Sequence, residues 1–98
     1  MRHCIIDKKL TFQLQGELNS YNAEEVEKEI DDAIAEGGFD TVVFDLNDLK
    51  YMSSAGLRIV ARLKQQYDDF SIINMPDDIY DVFVMVGFSD LISIKRKK

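Results

Sequence analysis

Between residues 41 and 67 the chain passes from a run that suits a buried strand into one that suits an amphipathic helix, and this junction restricts the possible folds more than any other stretch. Thr41-Val42-Val43-Phe44 is apolar on both sides of a pleat, as a central strand covered on both faces, or nearly so, would be. The strand pattern ends at Leu46, and a polar loop leads to a helix expected from Ala55 to about Tyr67. That helix carries Ile59, Val60, Leu63 and Tyr67 on one side, which is helical spacing. Gly56 lies near its start, where a missing side chain lets backbone approach the sheet, and a valine there predicts overpacking. Arg58 and Arg62 share the other face, and solubility is their simplest reading. Ser53 and Ser54 occupy the turn itself. The first amides of a helix are unpaired and sit at the positive end of its dipole, so they favour a side-chain oxygen or an anion. Two uses stay open: one serine is simply the N-cap, or one is held there as a phosphorylation switch.

The flanking segments extend the pattern. Residues 3 to 7 and 9 to 15 read as strands, the second alternating Leu10, Phe12 and Leu14 against Thr11, Gln13 and Gln15. Asp7-Lys8-Lys9 turns them into an antiparallel hairpin. Gly16 to Tyr21 is expected as a loop, and Asn22-Ala23-Glu24-Glu25 as a capping box opening a helix that Gly37-Gly38 ends. Ala23, Val26, Ile30, Ala33 and Ile34 form its inner stripe; Glu24, Glu27, Lys28, Asp31 and Asp32 form a solvated face. Phe70 to Asn74 is the next strand. Pro76 opens a third helix with Asp77 and Asp78 at the favourable end of its dipole. Ile79, Val82, Phe83 and Val86 are its buried stripe, Gly87 its end, and Tyr80, Val84 and Met85 lie off the stripe as extra core or a binding surface. Leu91 to Ile94 makes a last strand, and 95–98 a solvated basic tail. This alternation of strands and helices predicts a single α/β domain over 1–98: a mixed four- to five-stranded sheet with three main helices packed on it.

Composition narrows the function. The formal charge of −6 and pI near 4.6 oppose general nucleic-acid binding, which needs a basic surface. The one cysteine, Cys4, cannot form an internal disulfide, and Ile5 and Ile6 beside it suggest a buried thiol. No apolar run approaches the roughly 20 residues of a membrane span, and no leader pattern opens the sequence, so a cytoplasmic protein without membrane insertion is expected. No metal site, phosphate-binding loop or other cofactor motif is present. Ser54 does not fit an esterase elbow, because Met52 stands where that motif has glycine. His3, the one histidine, reads as a strand-edge residue. No cofactor and no catalytic activity are therefore expected.

Tyr51-Met52-Ser53-Ser54-Ala55-Gly56-Leu57, following the strand that ends in Asp45-Leu46, resembles the signature loop of the STAS domains, and especially of bacterial anti-sigma factor antagonists. Gly16-Glu17-Leu18-Asn19 and Val86-Gly87-Phe88-Ser89-Asp90-Leu91 resemble two further segments of that family, so the likeness spans nearly the whole chain. The resemblance implies a STAS-like fold and places the phosphoacceptor at Ser54, with Asn19, Ser53, Ala55, Gly56 and Arg58 beside it in a partner-binding surface. Ser53 stands where the family usually has an acidic residue before the acceptor, and Asn19 where it usually has aspartate. Each removes a negative charge. The function implied is regulation of transcription by partner switching. The protein would bind an ATP-dependent serine kinase/anti-sigma factor, leave it when Ser54 is phosphorylated, and be reset by a phosphatase. The alternative is a constitutive STAS adaptor docked on an ATPase or transporter, with Ser54 only a cap. A third reading is a small-molecule site between the early loops and the Ser54 turn.

Overall fold

The computed structural model describes residues 1–97, so Lys98 of the expected basic tail lies outside the described residues. In chain order the elements are β1 (Arg2–Ile6), β2 (Lys9–Leu18), α1 (Ala23–Ala35), β3 (Thr41–Met52), α2 (Ser54–Gln66), β4 (Ser71–Met75), α3 (Asp77–Met85), a 3-10 turn (Phe88–Asp90) and β5 (Ser93–Arg96). The sheet runs β1-β2-β3-β4-β5. The β1–β2 pair is antiparallel, and the other pairs are parallel. The hairpin turns on Asp7 and Lys8 at φ 53° and 64°, the left-handed pair of a tight two-residue turn.

Successive parallel strands step across the sheet in one direction. With right-handed crossovers this puts all three helices on the same face. Burial agrees: Leu10, Phe12, Val42, Phe44 and Ile72 face a single core with Ile30 and Ala33 of α1, Ile59, Val60 and Leu63 of α2, and Ile79 and Phe83 of α3. Phe44 anchors it, meeting Phe12 and Phe70 edge-on at centroid distances of 5.9 and 5.1 Å. Thr41, Val43 and Asp45 point to the opposite face, which no helix covers. Val43 is buried there yet is not part of the main hydrophobic cluster under the helices, so β3 is central without being helix-covered on both sides as expected.

Two register shifts lengthen β3 against β2. Asp45 pairs with Gln13 but Asp48 with Gln15, and Leu49 pairs with Gly16 but Tyr51 with Glu17. Each shift inserts one residue into β3. Consequently Leu46, Leu49 and Met52, three apart, all turn inward and are buried. The expected polar loop after Leu46 is therefore strand, and so is the expected loop at Gly16, Glu17 and Leu18.

Other expectations change too. Cys4 is exposed, because β1 is an edge strand whose Ile5 and Ile6 are themselves 40% and 66% exposed. The third helix buries only Ile79 and Phe83, leaving Val82, Val84, Met85 and Val86 exposed. The last strand starts later than expected, at Ser93. Arg96 is not free in solvent: it binds Asp77 at 2.7 Å and lies 4.6 Å from the Tyr80 ring centroid. The hydrogen bond and charge of Asp77 hold its guanidinium above its ordinary pKa. Lys97 donates to the Asn47 carbonyl at 3.0 Å.

Candidate functional site

The bulged end of β3 delivers the chain to α2 through one residue. Ser53 has extended backbone (φ −86°, ψ 179°), and its hydroxyl accepts from the Ala55 N–H at 3.2 Å. Its own N–H donates to the Leu18 carbonyl at 2.9 Å, which ties the junction to the end of β2. Ser53 is thus the N-cap, and Ser54 is the first helical residue. Ser54 is exposed, and its hydroxyl has no hydrogen-bond partner among the described residues. Arg58 lies one turn further along the same face, exposed and without an ion pair among the described residues. No acidic residue occupies the first turn of α2.

Behind this surface the helix is pressed against the sheet. A Cβ on Gly56 would lie 2.5 Å from Met52 Cγ, closer than real side chains stand, and 3.0 Å from Leu18 Cγ and Cδ2, a tight contact. Ala55 is 4% exposed. These two residues of the expected partner surface therefore face inward and serve to place the helix. Arg62 also departs from the solubility reading. It reaches α1, binding Glu27 at 2.7 Å and Asp31 at 2.9 Å. Partial burial works against its charge, but the hydrogen bonds and charges of Asp31 and Glu27 outweigh that and hold its pKa above the ordinary value.

Asn19 stands in the neighbouring loop as a turn-former. Its Oδ1 accepts from the N–H groups of Tyr21 (2.9 Å) and Asn22 (3.2 Å), an Asx turn. Asn22 reciprocates: its Oδ1 accepts from the Asn19 N–H at 2.8 Å, and its Nδ2 donates to the Glu17 carbonyl at 2.8 Å. Because its amide is spent this way, Asn22 makes no side-chain cap on α1, and the expected capping box is absent. The braced loop leaves Tyr21 97% exposed, while Tyr51, paired in register with Glu17, is half exposed. The sequence pattern does not single out either tyrosine as a surface candidate; the signal it does hold is an aromatic in each of two polar segments. The cleft between the end of β2 and α1, near 240 Å³ and lined in part by Leu18, Asn22 and Val26, does not include Ser53 or Ser54. It falls below the usual 300–1,000 Å³ of small-molecule sites.

This exposed serine on a capped strand-to-helix turn sits in a chain whose residues 4–98 match the sequence-family model described as STAS domain. The chain belongs to the STAS domain family. Within the family it resembles BtrV of Bordetella bronchiseptica, named provisionally as an anti-sigma factor antagonist, with 35% identity over 97 residues that cover 95% of this chain and 83% of that protein. The anti-sigma-B factor antagonist of Listeria monocytogenes is 27% identical over 85 residues, covering 83% of this chain and 74% of its own length. Among solved STAS-like structures, the anti-sigma factor antagonist SpoIIAA in its unphosphorylated form superposes with a TM-score of 0.78 at 19% identity, over 95% of this chain and 85% of that one. The expected mixed sheet of four to five strands with three helices is thus the architecture of this STAS domain, with five strands in the sheet. No helix among the described residues is long and apolar enough to cross a membrane.

Proposed function

We propose that this STAS domain acts as a phosphorylation-controlled partner switch, with Ser54 as the acceptor and a serine kinase/anti-sigma factor as the partner. The observation that carries this reading is the division of labour between the two serines. Ser53 supplies the cap, so the Ser54 hydroxyl is not needed for stability and stands exposed at the first position of α2. A phosphate there adds nearly two negative charges beside unpaired helix amides, with Arg58 one turn away to receive part of the charge. The fold is retained, and the change falls on the surface a partner meets. Ser53 and Arg58 flank the acceptor along the chain, and Asn19 follows Leu18, whose carbonyl accepts from the Ser53 N–H, so these residues belong to the surface that a partner would meet. A phosphatase completes the cycle by removing the phosphate from Ser54. The domain has no turnover of its own in this reading: His3 packs on Phe12 at the β1 edge and not beside Ser54.

The relatives support the reading through their names as anti-sigma factor antagonists. SpoIIAA, whose fold this chain shares, is known in a phosphorylated form as well. Calorimetric titration of the anti-sigma factor encoded nearest this gene tests it. Ser54→Asp is expected to weaken binding by about tenfold or more, or 1.4 kcal/mol, with no loss of thermal stability, while Ser54→Ala binds persistently. Equal affinity in all three proteins would instead indicate the constitutive adaptor.

A further inference from the structure

The two edges of the sheet are finished differently. β5 carries Lys95 and Arg96, with Lys97 next to them, and charged side chains are a common guard on an edge. β1 has neither lysine nor proline, carries its one fixed charge, Arg2, only at its first position, pairs with β2 without a bulge, and is exposed at all five residues, Arg2, His3, Cys4, Ile5 and Ile6. An unguarded edge of this kind is a template for another strand.

The hairpin turn fixes which backbone groups face outward. In the two-residue turn at Asp7 and Lys8, the Lys9 N–H meets the Ile6 carbonyl. Antiparallel alternation then directs the backbone groups of Ile6, Cys4 and Arg2 to β2, and those of His3 and Ile5 to the free edge. A second β1 laid antiparallel on this edge engages all five residues in one register only. His3 stands opposite Ile5 in both directions, Arg2 opposite Ile6, and Cys4 opposite its own copy. The ends are complementary as well, because the Arg2 end of one copy meets the Asp7 end of the other, whereas Lys8 lies on the β2 side of the turn. Parallel pairing would set like ends together.

We propose that the free edge of β1 is a self-association surface, on which a second copy of this chain pairs antiparallel through His3 and Ile5 with Cys4 on the two-fold axis. The pairing joins two five-stranded sheets into one and leaves Ser54, beyond β2 at the head of α2, uncovered. A five-residue contact is smaller than a standard interface, so the dimer is weak and concentration-dependent.

Sedimentation velocity on the full chain over a concentration series tests this. The wild type is expected to show a reversible monomer–dimer equilibrium. Ile6→Lys sets a lysine opposite the partner's Arg2 twice over and should weaken the dimer about tenfold; at so exposed a site the circular dichroism spectrum should not change. Ile5→Pro removes an outward N–H without touching the β2 ladder and should abolish the dimer, and Ile6→Lys carries the test should Ile5→Pro unfold. Oxidation with diamide reads the register. Two thiols give up two protons and two electrons to form one S–S bond, and diamide is reduced to the hydrazine. Cys4 pairs sit about 4.5 Å apart between Cα atoms at a non-hydrogen-bonded position, within disulfide range, so the wild type should cross-link rapidly. A protein with Cys4→Ser and His3→Cys should not, because position 3 faces position 5. The proposal fails if the protein is monomeric at every concentration, if the dimer is unmoved by Ile6→Lys, as association through the exposed Val82, Val84 and Met85 of α3 would be, or if position 3 cross-links as readily as position 4.

Discussion

Two helices of this domain start at the C-terminal ends of neighbouring parallel strands, α2 after β3 and α3 after β4, and their first turns are furnished differently. The third residue of α3 is Ile79, buried with its whole side chain; the third residue of α2 is Gly56, where even a Cβ has no room. The first turn of α3 holds Asp77 and Asp78, and Asp77 is already engaged by Arg96. That of α2 holds a neutral serine, with Arg58 unengaged among the described residues. The α3 start carries its own anion; the α2 start is fixed in position, capped by Ser53, and able to accept one. Similar β-to-α junctions thus differ in whether their electrostatic demand is met from within the chain, and the unmet one is where the proposed phosphate would be stabilised.

The closest packing should give the largest effect. Gly56→Val must displace Met52 or Leu18 and is expected to cost about 1–3 kcal/mol, measured by chemical denaturation, whereas Ile79→Val at the matching place in α3 should cost about 0.5–1.5 kcal/mol. Equal losses would mean that α2 is not the more tightly seated helix. Next comes the cap. Ser53→Ala should lower stability by about 0.5–2 kcal/mol, and Ser54→Ala should stay within about 0.5 kcal/mol of the wild type. The reverse order would exchange the roles of the two serines.

A charge exchange between the two helix starts should give the smallest effect. Ser54→Asp places an acid at the start of α2 and is expected to stabilise by about 0.3–1 kcal/mol, while Asp77→Asn should destabilise α3 by a similar amount through its dipole. Both changes should shrink as salt is raised. Thermal melts at low and high ionic strength read them together, and a destabilising Ser54→Asp would show that the α2 start does not welcome an anion.

Period-two alternation made β2 legible up to Gln15, and helical stripes made α1 and α2 legible nearly to their ends. β3 is legible only to Leu46 because its two bulges turn a period of two into a spacing of three, and Leu46, Leu49 and Met52 then match neither a plain strand nor a helix. The paired serines marked the site, but their roles depend on which residue keeps extended backbone, and that is set by the Ser53 N–H bond to Leu18 across the sheet. Asn22 carried the local signature of a cap, yet its amide was claimed by Glu17 and Asn19. The exposure of Cys4 is hidden for a similar reason: isoleucine neighbours suggest burial, and only the strand order puts β1 at an edge. Local patterns revealed the elements, while long-range pairing decided what their ends do.

The most direct test of the two-serine account is phosphosite mapping by mass spectrometry after the protein is incubated with the proposed partner kinase and ATP. The account predicts a single phosphate on Ser54 in the wild type, the same single phosphate in Ser53→Ala, and none in Ser54→Ala. Phosphate on Ser53, or no phosphate on any of the three while the kinase binds all of them equally, would contradict it.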